Sequence, residues 1–208
     1  IALKFQLGEV AIPLSIAYRF ALAALVLFIL LLASGRLQRL GRRGQWYCLL
    51  QGLCLFCLNF MCFYSATQWI PSGLVAVVFS TAALWNALSA RLIFGRRIAS
   101  GVVWGGLLGL SGLSLLFWPE LAGHAASRET LWGLGLALLG TLFFSAGNML
   151  SSVQQQAGLR PLSTNAWGML YGALILAGYC VLTNVPLNFD TSPRYVWALL
   201  YLAVPGSV

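Results

Sequence analysis

Residues 13–34 read P-L-S-I-A-Y-R-F-A-L-A-A-L-V-L-F-I-L-L-L-A-S, an apolar run interrupted by a single charge, Arg19. A helix rises about 1.5 Å per residue, so about 20 apolar residues cross the ~30 Å hydrocarbon layer of a bilayer. The run is therefore read as a membrane span. Working outward from it, the same pattern recurs along the chain. The tail of span 1 ends near Gln6, span 2 is the quoted run, and spans 3 and 4 cover 46–67 and 72–94. Spans 5, 6 and 7 cover 100–118, 131–153 and 163–185, and a truncated span 8 starts near Tyr195. The sequence predicts an all-α, polytopic membrane helix bundle.

Composition points the same way. Hydrophobic residues make up 60% and charged residues 8% of the 208, and the mean hydropathy is +0.87. Soluble domains carry about 25% charged residues, and so few charges cannot cover the surface of a soluble globule. The first residue is not Met, and the chain closes at Tyr201-Leu-Ala-Val-Pro-Gly-Ser-Val208 in the middle of an apolar run. Both ends are expected to be cuts in a longer protein.

The net charge of +8 raises nucleic-acid binding, which the placement of the charges argues against. Arg36, Arg39, Arg42 and Arg43 follow span 2; Arg91, Arg96 and Arg97 follow span 4; Arg160 follows span 6. No aromatic-interleaved basic stripe accompanies them. The alternate loops hold only Arg128 and Arg194, beside Glu9, Glu120, Glu129 and Asp190, while Lys4 and Arg19 lie near or within spans. Basic residues confined to alternate loops mark the cytoplasmic side. Span 1 accordingly runs from inside to outside. Short connections such as Ile70-Pro71-Ser72-Gly73 and Gly95-Arg96-Arg97 imply antiparallel neighbours.

Gln6 to Ser15 (QLGEVAIPLS) and Gln154 to Ser163 (QQQAGLRPLS) share Pro-Leu-Ser and the leading glutamine at one offset. Each joins the end of one span to the start of the next. The offset covers five helices, an odd number, so the second copy would enter the membrane inverted. Inverted repeats are a transporter architecture that handles substrate near the midplane.

Polar side chains inside spans are costly in lipid and are expected to face the bundle interior or a wet cavity. Asn59, Ser80, Thr81, Asn86, Ser145 and Asn148 are the main cases. Amides, hydroxyls and aromatic rings at mid-depth suit a small amphipathic metabolite, and plain interhelical hydrogen bonding is the rival reading. Arg19 is expected to snorkel toward the outer interface. Trp46, Trp69, Trp118, Trp132 and Trp197 mark span ends as an interfacial belt. Gly101, Gly105, Gly109 and Gly112 in span 5, and Gly168 and Gly172 in span 7, are expected to let another helix approach.

The five cysteines, Cys48, Cys54, Cys57, Cys62 and Cys180, sit in apolar runs as small hydrophobes, and Cys54–Cys57 lacks the companions a metal or redox pair needs. His124 lies in a loop with Glu120 and Glu129 and is read as solvated. All carboxylates are in loops and no catalytic set or phosphate loop assembles, so neither an enzyme nor a cofactor is expected.

Three stretches resemble the EamA-type transporters of the drug/metabolite transporter superfamily. Gly8-Glu9-Val10 with Pro13 and Arg19 through Leu25 is similar to that family's first loop and second helix. Phe63-Tyr64-Ser65-Ala66 with Ile70 through Ala76 is similar to its turn between helices three and four, and Gly101 through Leu116 to its fifth helix. The resemblance implies ten helices in two inverted five-helix repeats, here clipped to the end of helix 1 through the start of helix 8. Residues 1–119 would form the first repeat and residues 130–208 the second. It implies residence in the cell membrane, a bacterial inner membrane, and export of small metabolites such as amino acids by alternating access. Nucleotide-sugar or drug transport, a non-transporting membrane scaffold and an intramembrane lipid-modifying enzyme are the alternatives. The partners are a small-molecule metabolite and the lipid bilayer, with homo-oligomerisation left open. A central cavity is implied whose lining favours Asn59, Tyr64, Thr81, Trp85, Asn148 and Tyr201, to which the mid-depth hydroxyls of Ser80 and Ser145 are added. Two departures stand out: Ala82-Ala83 replaces a usual mid-helix proline, and Gly95-Arg96-Arg97 replaces a usual glutamate.

Overall fold

The computed structural model describes residues 10–95, 97–116, 118, 127–186, 188–203 and 206, without the side chain of Arg194. Lys4, Gln6, Gly8, Glu9, Arg96, Glu120 and His124 lie outside the described residues. We number the helices α1 (Ile12–Ala33), α2 (Arg42–Trp69), α3 (Ser72–Phe94), α4 (Ser100–Leu116), α5 (Arg128–Gln156), α6 (Pro161–Leu182) and α7 (Pro193–Ala203). Among the described residues there is no strand. Helices α1, α2, α3, α5 and α6 are long and apolar enough to cross a membrane, whereas α4, the expected span 5, is a shorter apolar helix of 17 residues.

Local sequence explains where the helices start and stop. Pro13 and Pro161 sit in the first turns of α1 and α6, where a missing N–H costs nothing. The stops of α1 and α5 share one device. Gly35 and Gly158 take positive φ, and the next residue's N–H reaches back to the last turn, Arg36 to the Leu31 carbonyl at 2.9 Å and Leu159 to that of Gln154 at 3.0 Å.

Two helices carry irregularities. Gly52–Leu58 in α2 forms a π-helical segment. α3 is interrupted at Thr81, between Ser72–Ser80 and Ala82–Phe94. No proline is present there; instead Ser80 and Thr81 donate their hydroxyls to the carbonyls of Val77 and Val78, each at 2.6 Å. Such back-bonding competes with the helical ladder and bends it.

The chain forms two compact units, Ile1–Cys57 with Leu150–Val208, and Leu58–Met149. In the first unit α1 packs along α6. Leu14 clusters with Cys180, while Leu31, at the other end of α1, clusters with Ala166, so the two helices are antiparallel. Tyr195 and Leu199 of α7 join the first of these clusters. Glycine sets the crossing of α2 with α6: a Cβ on Gly52 would strike the carbonyl oxygen of Gly168, and one on Gly172 would lie 2.9 Å from Phe56 Cβ. In the second unit Ala66, Ile70, Leu74, Val75 and Ala137 form the core, beside a ring series from Phe63 through Phe79 to Phe144 at 5.2 and 4.9 Å.

Two expectations are corrected. Arg19 does not snorkel outward: it lies on the buried face of α1 with Ile16 and Ala23, is 5% exposed, and points Nη2 at the Gly206 carbonyl at 3.4 Å. The glycines of α4 do not all receive a neighbour. Gly106 meets Leu84 of α3, whereas nothing among the described residues lies within 4 Å of a Cβ built on Gly101, Gly105, Gly109 or Gly112. By contrast Trp46, Trp69, Trp118, Trp132 and Trp197 are all exposed, as an interfacial belt requires.

Candidate functional site

Seven of the eight expected site residues fall in the second unit: Asn59, Tyr64, Ser80, Thr81, Trp85, Ser145 and Asn148. Tyr201 belongs to the first unit, on α7, and is mostly exposed.

One arrangement of polar side chains in the second unit joins α3 and α5. Asn86 and Ser89 lie one turn apart on α3, as do Ser145 and Asn148 on α5, and residues three apart share a helix face. Ser89 Oγ lies 3.3 Å from Ser145 Oγ. Asn148 Nδ2 donates to Asn86 Oδ1 at 3.5 Å. The result is a ladder of two rungs, an amide pair beside a hydroxyl pair. Ser145 is buried, whereas Asn86, Ser89 and Asn148 keep partial exposure. These groups combine donors and acceptors without net charge, a surface suited to a polar or zwitterionic small molecule.

The other expected residues have different surroundings. Asn59 is buried and donates Nδ2 to the Gly140 carbonyl at 2.8 Å, clamping α2 to α5. Gly140 permits this approach, since a Cβ there would lie 3.0 Å from Cys62 Cβ. Tyr64 is fully buried and Trp85 is half-buried. The Ser80 and Thr81 hydroxyls are engaged with their own helix backbone. Ser89 was missed by sequence reasoning. Its spacing of three from Asn86 was the available signal.

A second polar cluster, also missed, lies in the first unit. Gln154 Nε2 donates to Gln51 Oε1 at 2.6 Å, Gln51 Nε2 donates to Asn165 Oδ1 at 2.8 Å, and Cys48 Sγ donates to Gln154 Oε1 at 3.1 Å. Nearby, Tyr171 donates its hydroxyl to Gln45 Oε1 at 2.9 Å. The cluster ties α2, α5 and α6 together beside the arginine-rich loops. Those loops are themselves joined, since Arg160 N donates to Gln38 Oε1 at 2.7 Å and Gln38 N to Ser163 Oγ at 3.1 Å. The loops after α1 and α5 therefore lie at one end of this unit, as the arginine distribution requires. Among the described residues no cluster of His, Cys, Asp or Glu has the makings of a metal site.

Comparison with known proteins gives three findings. Residues 1–118 match the profile of the EamA-like transporter family. A Bacillus subtilis (strain 168) protein described as "Uncharacterized transporter YyaM" is 26% identical over 214 residues, covering 99% of this chain and 68% of that relative. A solved structure titled "Crystal structure of protein" superposes with a TM-score of 0.75 at 20% identity, over 98% of this chain and 68% of that one, a likeness of fold.

Proposed function

Because the chain belongs to the EamA-like transporter family, we propose that this multi-pass membrane protein exports a small polar metabolite, such as an amino acid, by alternating access. The observation that carries the reading is the ladder of Asn86, Ser89, Ser145 and Asn148 on facing helices of one unit. Neutral hydrogen-bonding groups inside a membrane bundle are retained against their cost in lipid when they hold a partner. An amide pair beside a hydroxyl pair offers donors to a carboxylate and acceptors to an ammonium group. Tyr64 and Trp85 would supply apolar wall, and Ser80 and Thr81 would stand at the bend of α3.

In this reading residues 1–119 and 130–208 are the two inverted repeats, with Pro13 and Pro161 as equivalent positions. The resemblance to a relative described as a transporter supports the class of activity. Uptake into liposomes holding the full-length protein, screened across amino acids, tests the proposal. Accumulation that saturates with one substrate class supports it; no transport of any candidate by protein shown to be folded would sink it.

A further inference from the structure

The start of α2 carries a cavity of about 680 Å³ lined by Arg42, Arg43, Trp46, Tyr47 and Leu50. A second, of about 300 Å³, shares Arg43 and Tyr47 and continues along Gly44, Val153, Gln154 and Leu159. The larger cavity's lining has an order. Arg42, Trp46 and Leu50 follow one another at spacing four, so they form one strip running inward along the helix, with Arg43 and Tyr47 on the strip beside it. Along that strip the chemistry passes from guanidinium to aromatic to aliphatic. All of Arg42, Arg43, Trp46 and Leu50 are exposed, and the Arg43 guanidinium lies 5.9 Å from the Tyr47 ring centroid.

The charge of this corner has no counterpart among the described residues. The described carboxylates are Glu129 and Asp190. Glu129 opens α5, whose far end carries Gln154, and Asp190 accepts from Ser192 in the segment that meets the opposite end of α1. A negative group for Arg42 and Arg43 must come from outside this set.

We propose that this cavity holds an anionic phospholipid of the arginine-rich leaflet, its phosphate between Arg42 and Arg43 and its glycerol and upper acyl chain against Trp46, Tyr47 and Leu50. Guanidinium is the side chain best matched to phosphate oxygens, and aromatic rings settle at the depth of the headgroup and ester region. Basic pockets on the cytoplasmic side of membrane bundles attract acidic headgroups by the same physics. The aliphatic end of the strip favours a lipid over a free phosphate ion, which would leave Trp46 and Leu50 without a role.

Native mass spectrometry of the full-length protein in neutral detergent tests this. Phosphatidylglycerol and phosphatidylcholine are titrated separately, with inorganic phosphate as competitor. Wild-type protein should prefer phosphatidylglycerol by about tenfold, R42Q/R43Q should lose that preference, and R36Q/R39Q, with equal loss of charge in the neighbouring loop, should keep it. Trp46→Ala should weaken both lipids alike. The proposal is overturned if R42Q/R43Q keeps the preference, if R36Q/R39Q loses it equally, or if millimolar phosphate displaces the lipid.

Discussion

Gln154 Nε2 donates to Gln51 Oε1 at 2.6 Å with both side chains buried, an amide pair joining α5 to α2 in an apolar surrounding. Each amide has further partners in Asn165 and Cys48, so removing one member orphans others. Leaving a buried polar group unsatisfied costs about 1–3 kcal/mol. Gln154→Leu should lower the thermal midpoint of the detergent-solubilised protein. Adding Gln51→Leu should cost less than the sum of the single changes, because the second removes a group already orphaned. Strict additivity would show that the pair does not act as a network.

The ladder on α3 and α5 separates a binding role from a packing role. Asn148→Ala removes a partly exposed amide whose bond to Asn86 is long at 3.5 Å, so little folding energy should depend on it. Asn59→Ala removes a buried donor whose bond to Gly140 is 2.8 Å and should cost about 1 kcal/mol of stability. In the liposome assay Asn148→Ala should raise KM about fivefold or more with the thermal midpoint nearly unchanged, the loss expected for one hydrogen bond to substrate. Equal effects on stability and unchanged KM would assign Asn148 to packing.

How much was legible in the sequence differs by level. The spans were readable because a 20-residue apolar run has one solution in lipid, and the helix from Ile12 to Ala33 differs by one residue from the run quoted at the outset. The bend in α3 was not readable from a missing proline, since Ala82-Ala83 reads as plain helix while the hydroxyls of Ser80 and Thr81 act through backbone geometry. Arg19 was misread because snorkelling assumes a lipid-facing stem, and the face of α1 that carries it is packed. Gln51, inside span 3, was not among the polar residues singled out, and Gln154, just past span 6, was read only as part of the repeat, because sequence does not tell a loop residue at a span end from a buried one. Their pairing is a tertiary fact, separated by about a hundred positions in sequence.

Thr81 offers a direct test of the bend. The Thr81 N–H bonds the Val78 carbonyl at 3.1 Å, a tighter turn than the α-helical pattern, and the two hydroxyls hold it. Replacing Ser80 with Ala and Thr81 with Val removes both back-bonds while preserving size. Continuous helix should then extend through 81, and amide exchange across 80–85 should slow. Unchanged exchange would place the cause of the interruption elsewhere.

Gly52 has the least room of the packed positions, and the reason is backbone. A Cβ added there meets the Gly168 carbonyl oxygen and sits 3.0 Å from the Gly172 nitrogen, and neither atom can swing aside as a side-chain tip would. The same change at Gly178, on the helix that carries those atoms, adds a Cβ with nothing within 4 Å. Overpacking a close helix contact costs about 1–3 kcal/mol, whereas an open surface position changes stability by about 0.5 kcal/mol or less. Gly52→Ala should therefore lower the thermal midpoint well below that of Gly178→Ala. The π-helical segment that begins at Gly52 should register the strain first, as faster amide exchange from 52 to 58. Equal midpoints for the two variants would mean that α2 moves away from α6 at little cost, and the crossing would then be a sliding contact instead of a fixed one.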